Sequence, residues 1–275
     1  MPMSATSTAG ASATRAANSK PLEILTRAGF LGYGLVHLLF AWLALQIAFG
    51  KPAADGDQSG ALRTLAAQPL GKFLVGAVGI GLLAMAIWQA FEAAVGHQEY
   101  RGRERTVERV TSVGRTLFYL YFAWTSYQVV QQASASSSDK QQAMTEQLMS
   151  SSGGRFLVGL IGLAVAALGA GLVWYGAVKK FERHLKTGQM SPQTRKLARR
   201  LGVAGYVAKG VAYGIAGLLV LTAAINYDPE QARGLDGALH TLREQAFGSI
   251  LLTLVALGIA AFALYCVVQA KYRKV

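Results

Sequence analysis

The chain has 275 residues, 52% hydrophobic and 15% charged, with a net charge of +13. Soluble domains carry about a quarter charged residues, and the apolar residues here fall in long unbroken runs, which excludes an ordinary soluble globular domain. A lone cysteine, Cys266, excludes an intramolecular disulfide and a cysteine-built metal site.

The first 28 residues are rich in Ala, Ser and Thr and hold no separate apolar stretch, so a cleaved secretory signal is not expected. Residues 1–23 read as a disordered tail. Six apolar runs follow, at about residues 29–49, 73–95, 116–132, 156–178, 210–225 and 250–270, free of charge but for Glu92 near the end of the second; the fifth extends to about Val203 if Lys209 lies at the headgroup level. About 17 or more such residues cross the hydrocarbon of a bilayer as a helix. Lipid cannot satisfy backbone polar groups, and these runs lack the short alternating pattern of barrel strands. The expected fold is an all-α integral membrane protein with six transmembrane helices.

The runs form three parallel two-helix repeats. Residues 61–65 (ALRTL) and 238–242 (ALHTL) nearly coincide 177 positions apart, and Gly60/Gly237, Gln68/Gln245 and Gly71/Gly248 extend the match. Residues 71–76 (GKFLVG) match 154–159 (GRFLVG) at an offset of 83, and Ala41-Trp42 falls on Ala123-Trp124. A shared loop pattern with Gln and Thr is far harder to reach by chance than similarity between apolar helices. The units are residues 24–98, 107–183 and 195–275, each a helix, an outer loop and a second helix. Residues 60–67 and 237–244 read as short amphipathic helices in the outer loops, lying in the interface plane, and residues 141–149 as a third.

Of the 27 Lys and Arg residues, 20 fall before the first run, between the second and third, between the fourth and fifth, and after the sixth; 7 fall in the other loops. Cytoplasmic loops carry the basic excess. Both termini are therefore expected in the cytoplasm, with the protein multi-pass in the plasma (inner) membrane. The basic stretches 101–115 and 179–200 read as contacts with anionic headgroups of the lipid bilayer. They do not interleave aromatics as a nucleic-acid surface does, so no nucleic acid is expected as partner.

These residues also carry a resemblance. Arg27, Gly29-Phe30 and Tyr33-Gly34, then Arg200, Gly202, Gly205-Tyr206, Lys209-Gly210 and Tyr213, with the loop pattern from Ser59-Gly60 to Pro69-Leu70-Gly71, resemble a bacterial domain-of-unknown-function family, number 1206. The resemblance covers residues 24 to 273 and is weakest at Val113-Gly114-Arg115. It implies a membrane location and three tandem two-helix units, and it implies no activity, substrate or catalytic residue.

No phosphate loop, zinc signature or nucleophile elbow appears, so neither a catalytic set, a cofactor nor a metal is expected. Repeat alignment supplies other candidates. His37, Tyr119 and Tyr213 are equivalent and fall near mid-span. Tyr33, Arg115 and Lys209 lie one turn nearer the cytoplasm, and Glu92, Tyr175 and Gln269 near the cytoplasmic ends of the second helices. Intramembrane polar groups are costly and face interiors or water-filled paths. His37, Tyr119 and Tyr213 form a candidate intramembrane set, and Arg115, Lys209 and Glu92 a candidate cytoplasmic mouth. The plain alternatives are hydrogen bonds between helices for the first set and snorkelling to headgroups for Arg115 and Lys209.

The leading expectation is a non-enzymatic structural membrane bundle that binds lipid or an unidentified protein partner. A small transporter or conduit for a solute along a pseudo-threefold axis stands second, and a membrane enzyme third.

Overall fold

The computed structural model describes residues 19–51, 56–98, 100–131, 137–151 and 153–274. Residues 1–18, most of the stretch expected as a disordered tail, lie outside them. Nine α-helices occur among the described residues: α1 (Lys20–Ala48), α2 (Gln58–Ala66), α3 (Gly71–Ala94), α4 (Gly102–Val130), α5 (Ser137–Met149), α6 (Gly154–Ala177), α7 (Pro192–Asn226), α8 (Gly234–Glu244) and α9 (Gly248–Tyr272). Short 3₁₀ turns cover Lys180–His184, Thr187–Gln189 and Pro229–Gln231. Among the described residues there is no strand, only an isolated antiparallel bridge between Leu185 and Arg273.

Five helices, α1, α3, α6, α7 and α9, are long and apolar enough to cross a membrane. The sixth long helix, α4, has 29 residues. Its first half carries Arg103, Glu104, Arg105, Glu108, Arg109 and Arg115, which lowers its mean hydropathy below that of the others. The 35-residue α7 is about 52 Å long at 1.5 Å per residue. It overreaches a hydrocarbon layer of roughly 30 Å. Ser191 starts it, its hydroxyl accepting from Thr194 N at 3.2 Å ahead of Pro192.

The long helices pack in the order α6, α7, α9, α1, α3, α4, each against the next. Every such joint is antiparallel. A Cβ on Gly29 would collide with Gly81 O, and one on Gly32 would reach Val78. One on Gly205 would meet Phe262, and one on Gly34 would meet Ala263. The joint of α6 and α7 is the most intimate: Gly162, Gly169 and Gly217 all stand where a Cβ would strike backbone of the facing helix. Small residues at such places let helices approach closely. Arginines at helix starts tie two joints by reaching neighbouring C-terminal carbonyls. Arg27 donates to Ala270 O at 2.6 Å and Lys271 O at 2.8 Å, and Arg155 donates to Ala224 O at 2.5 Å and to Ile225 O.

One pair departs from this order. α4 and α6 share almost no close approach, although α1 packs on α3 and α7 on α9. They meet at the end where α4 begins and α6 finishes, through Arg183 to Glu104 at 2.7 Å and His184 facing Glu108. The row of helices is thus closed at five joints and open at the sixth.

Cβ atoms on Gly162, Gly210 and Gly79 would press on the neighbouring helix, whereas Gly76 and Gly214 have open space and Gly159 only ordinary contact. The short helices α2 and α8 bury their apolar faces on the bundle: Leu62 and Leu239 are fully buried, with α2 packed on α1, α3 and α4, and α8 on α7, α9 and α1. Ala61 and Ala238 beside those leucines are buried with them. Each short helix leads to the next long one in the same way. Leu70, Gly153 and Phe247 take left-handed backbone, and the glycine after each abuts a carbonyl of the preceding helix end, where a Cβ would collide. Trp42, Trp124 and Trp174 stand exposed on the helix surfaces, as interfacial aromatics do. Trp88 is buried instead, edge-on to Phe30 and under Arg273.

Candidate functional site

Lys209 sits 17 residues past the start of α7, about 26 Å along it. Gly205 and Ala208 hold that face of α7 against α9, where Phe262 and Gly258 meet them, and the lysine stem points inward. Its Nζ lies 3.0 Å from the Tyr33 hydroxyl and 3.1 Å from His37 Nε2, both on α1. The Phe262 ring from α9 lies 4.0 Å from the ammonium. Lys209 is 8% exposed and His37 0%. Nζ is turned into the bundle, toward α1 and α9, and not outward along α7 as a snorkelling side chain would be.

The donor pattern of this cluster is fixed by chemistry. His37 Nδ1 lies 2.9 Å from the Tyr33 backbone carbonyl, which can only accept, so Nδ1 carries a proton. In the neutral imidazole Nε2 is then a bare acceptor facing Lys209. One further proton sits on a line between two nitrogens, on Lys209 or on His37. Among the described residues no carboxylate pairs with Lys209. Aromatic faces stand in for a counter-ion. A buried ammonium so weakly compensated costs several kcal/mol.

His37 and Tyr119 are drawn to one place. Tyr33 touches both, with its ring 4.3 Å from His37 and 5.7 Å from Tyr119, and it packs edge-on to Phe118 at 6.2 Å. Tyr213 stands apart. One turn beyond Lys209 it is partly buried, engages Gln58 of α2, and lines a cavity of about 360 Å³. Phe118 lines the same cavity and so separates it from Tyr33 by a single ring.

The three residues read as one mouth are dispersed. Lys209 belongs to the mid-bundle cluster. Half-buried Arg115 is turned inward to the Tyr175 hydroxyl. Glu92 is with His97 at 3.6 Å, whose Nε2 also lies 2.9 Å from Ser112 Oγ. The second-helix set nevertheless has a common habit, since each member meets a basic group a few residues downstream: Glu92 with His97, Tyr175 with His184 Nδ1 at 3.1 Å, and Gln269 accepting from Arg273 at 2.7 Å.

Sequence reasoning passed over Glu108, His184 and Arg273, which complete this end of the bundle. Tyr175 O–H donates to His184 Nδ1, which leaves Nε2–H facing the Glu108 carboxylate at 3.6 Å. Interaction with His184, aided by Arg115 and Lys180 and opposed by burial, holds the Glu108 carboxyl down at about 2. Burial pushes the His184 imidazole down to about 4, against the pull of Glu108. Arg273, 5% exposed, spreads over Phe30 and Trp88 at 5.5 and 5.4 Å. The tail that carries it pairs with the turn at His184, through Lys186 N to Tyr272 O at 2.7 Å and Lys274 N to His184 O at 3.0 Å. Glu108 and His184 lie in segments whose many charges read as headgroup contacts, and Arg273 lies in the basic C-terminal end; the one available signal was His184, placed just beyond a run that ends in Trp and Tyr.

The constellation offers proton donors and acceptors at close spacing and nothing resembling a nucleophile with its base. Among the described residues no group of His, Cys, Asp and Glu could hold a metal.

The sequence profile of a family described as Domain of Unknown Function (DUF1206) matches three times, over residues 28–96, 110–179 and 204–273. An uncharacterized protein YxxB of Bacillus subtilis (strain 168) is 27% identical over 248 residues, covering 90% of each chain. No solved structure matches significantly.

Proposed function

Because the chain belongs to the family described as Domain of Unknown Function (DUF1206), whose description carries no activity, we propose from its own geometry that it is a non-enzymatic membrane protein that passes protons. The observation that carries this is Lys209 Nζ, buried in a membrane-spanning helix between Tyr33 and His37 without a carboxylate partner. Intramembrane ionisable groups are costly, and chains of them mark proton relays. The path runs from the cavity beside Tyr213, past Phe118, to the Tyr33–His37–Lys209 centre. From there it continues through Tyr119, Arg115 and Tyr175 to His184 and Glu108.

In this reading α4 is the sixth span and the three parallel units surround a pseudo-threefold axis. The support is that the second long helix of each unit packs on the first of the next, including α9 on α1. The units keep the bounds 24–98, 107–183 and 195–275. Both termini, and with them the Glu108–His184 end, face the cytoplasm of the plasma (inner) membrane, in keeping with the basic excess there. Anionic lipid headgroups meet the stretches 101–115 and 179–200.

The full chain in liposomes with an interior pH dye and an imposed potassium diffusion potential tests the reading. Wild-type protein is expected to admit protons, and Lys209→Met and His37→Phe each to cut the flux at least tenfold at equal incorporation. Flux unchanged in both variants rejects the conduit. The second reading, a structural bundle, would then stand, and it is favoured by the dense ring packing of Tyr33, Phe118, Tyr206 and Phe262 around the charge.

A further inference from the structure

The open joint between α4 and α6 is where the cavity lies. Its walls are Phe118 and Phe122 of α4, Ile161 and Val165 of α6, and Tyr213 of α7. Its volume of about 360 Å³ is near the low end for ligand pockets, which run about 300–1,000 Å³. The two ends of this space differ in chemistry. The end toward the short helices is polar, with Gln58, Arg233 and Gln141 on its rim. The sides are apolar and continue onto helix surfaces that carry exposed Leu117, Leu120, Leu160 and Ile161. A protein groove with a polar head end and an apolar flank open to lipid has the polarity of an amphiphile.

A second observation points to a ligand. Gln58 is 4% exposed, and its Nε2 has no hydrogen-bond partner among the described residues. Buried amide donors are almost always satisfied, and leaving one unpaired costs about 1–3 kcal/mol. The same amide lies beside Tyr213 on the cavity wall, with two Nε2 donors to place. An oxygen acceptor there would satisfy them, and a neutral amide suits an ester or phosphate oxygen without demanding a full counter-charge.

We infer that the space between α4 and α6 is a binding site for one bilayer phospholipid, with an ester or phosphate oxygen accepting from Gln58 Nε2 and an acyl chain lying between Phe122 and the Ile161–Val165 face. The lipid takes the place of the packing that α4 and α6 do not give each other, and it seals the side of the bundle next to Tyr213. This rests on the membrane-embedded reading and is independent of proton passage.

The test uses the full chain in phosphatidylcholine vesicles doped with a phospholipid carrying a diazirine in one acyl chain. After irradiation, label is mapped by peptide. Label is expected to concentrate on the peptides of Phe122 and of Ile161 to Val165, above the level at Leu264 and Val267, which are exposed on α9. Gln58→Leu should lower the α4/α6 label about fivefold, the loss of one hydrogen bond of about 1 kcal/mol. Val165→Trp, which fills the space, should lower it as well, and neither should change label at Leu264. Label no higher between α4 and α6 than at Leu264 and Val267 overturns the inference and leaves the membrane reading standing. Absence of label on every apolar helix overturns both.

Discussion

The α6–α7 joint and the α4–α6 gap differ in what their facing residues permit. At the first, Gly162, Gly169 and Gly217 bring backbone onto backbone, and Arg155 fastens the end by holding carbonyls of the neighbouring helix. At the second, Phe118, Phe122, Ile161 and Val165 face one another across open space, and the helices meet toward one end, where Glu104 and Glu108 reach Arg183 and His184 and Arg115 reaches Tyr175. Helices in lipid gain nothing from apolar contact as such, since lipid is as apolar as they are. Close approach through small residues and specific polar ties decide which pairs form. A pair that has the ties at one end and bulky side chains along the rest opens like a V, and the opening is where solute or lipid enters.

The largest effect expected from this contrast is at the tight joint. Gly217→Leu should destabilise the protein in detergent by about 3 kcal/mol through overpacking, while Gly171→Leu on the same helix pair, where a Cβ meets nothing within 4 Å, should leave the transition unchanged. Equal losses in thermal unfolding would break the claim that backbone contact holds this joint.

Lys209→Met should act in the opposite direction. Replacing a weakly compensated buried charge by an apolar side chain of similar length removes its desolvation cost and is expected to stabilise by about 1–2 kcal/mol. A destabilised variant would mean that the charge has a compensating partner and that the cluster is structural.

The tie at the narrow end of the V should loosen in acid. The unfolded chain protonates its His184 near 6.5, whereas the folded protein keeps it neutral down to about 4, so stability falls as pH drops through that interval. Glu108 extends the loss: its unfolded carboxyl protonates near 4.5 and the folded one only at about 2. His184→Phe should flatten the stability curve between about 6.5 and 4, read by thermal unfolding across pH. A curve that keeps its slope there would remove His184 from the tie. The smallest effect belongs to Arg183→Ala, which breaks an exposed pair with Glu104 and should cost under 1 kcal/mol.

Much of the fold was legible in the sequence because each apolar run is long, nearly uncharged and bounded, and because the loop residues Gly60, Gly71, Gly237 and Gly248 repeat. The depth of Lys209 was not. Its run ends at Gly210 by hydropathy, yet Ser191 and Pro192 start the helix far earlier, and a charged residue in mid-helix reads the same as one at a headgroup. The partners of Arg115, Glu108 and His184 were hidden for a related reason: a basic segment that lies on lipid and one that folds back on a tyrosine have the same composition. The gap between α4 and α6 was hidden because a two-helix pattern names the helices of a unit and not the neighbours each will choose. His37 and Tyr119 were found at one centre because polar side chains in apolar helices have few places to go, while Tyr213 went to the cavity wall, where Gln58 of a short helix offered a nearer partner.

The central claim is that the bundle is closed at α3–α4 and open at α4–α6, and paired cysteines in a Cys266→Ser chain test it directly. Gly79→Cys with Ser126→Cys places two Cβ atoms about 3.0 Å apart across the closed joint, within reach of a disulfide given a few tenths of an ångström of movement. Phe122→Cys with Val165→Cys faces across the cavity. Under mild oxidant in native membranes the first pair is predicted to lock and the second to remain free. A disulfide forming in the second pair as fast as in the first would contradict the account.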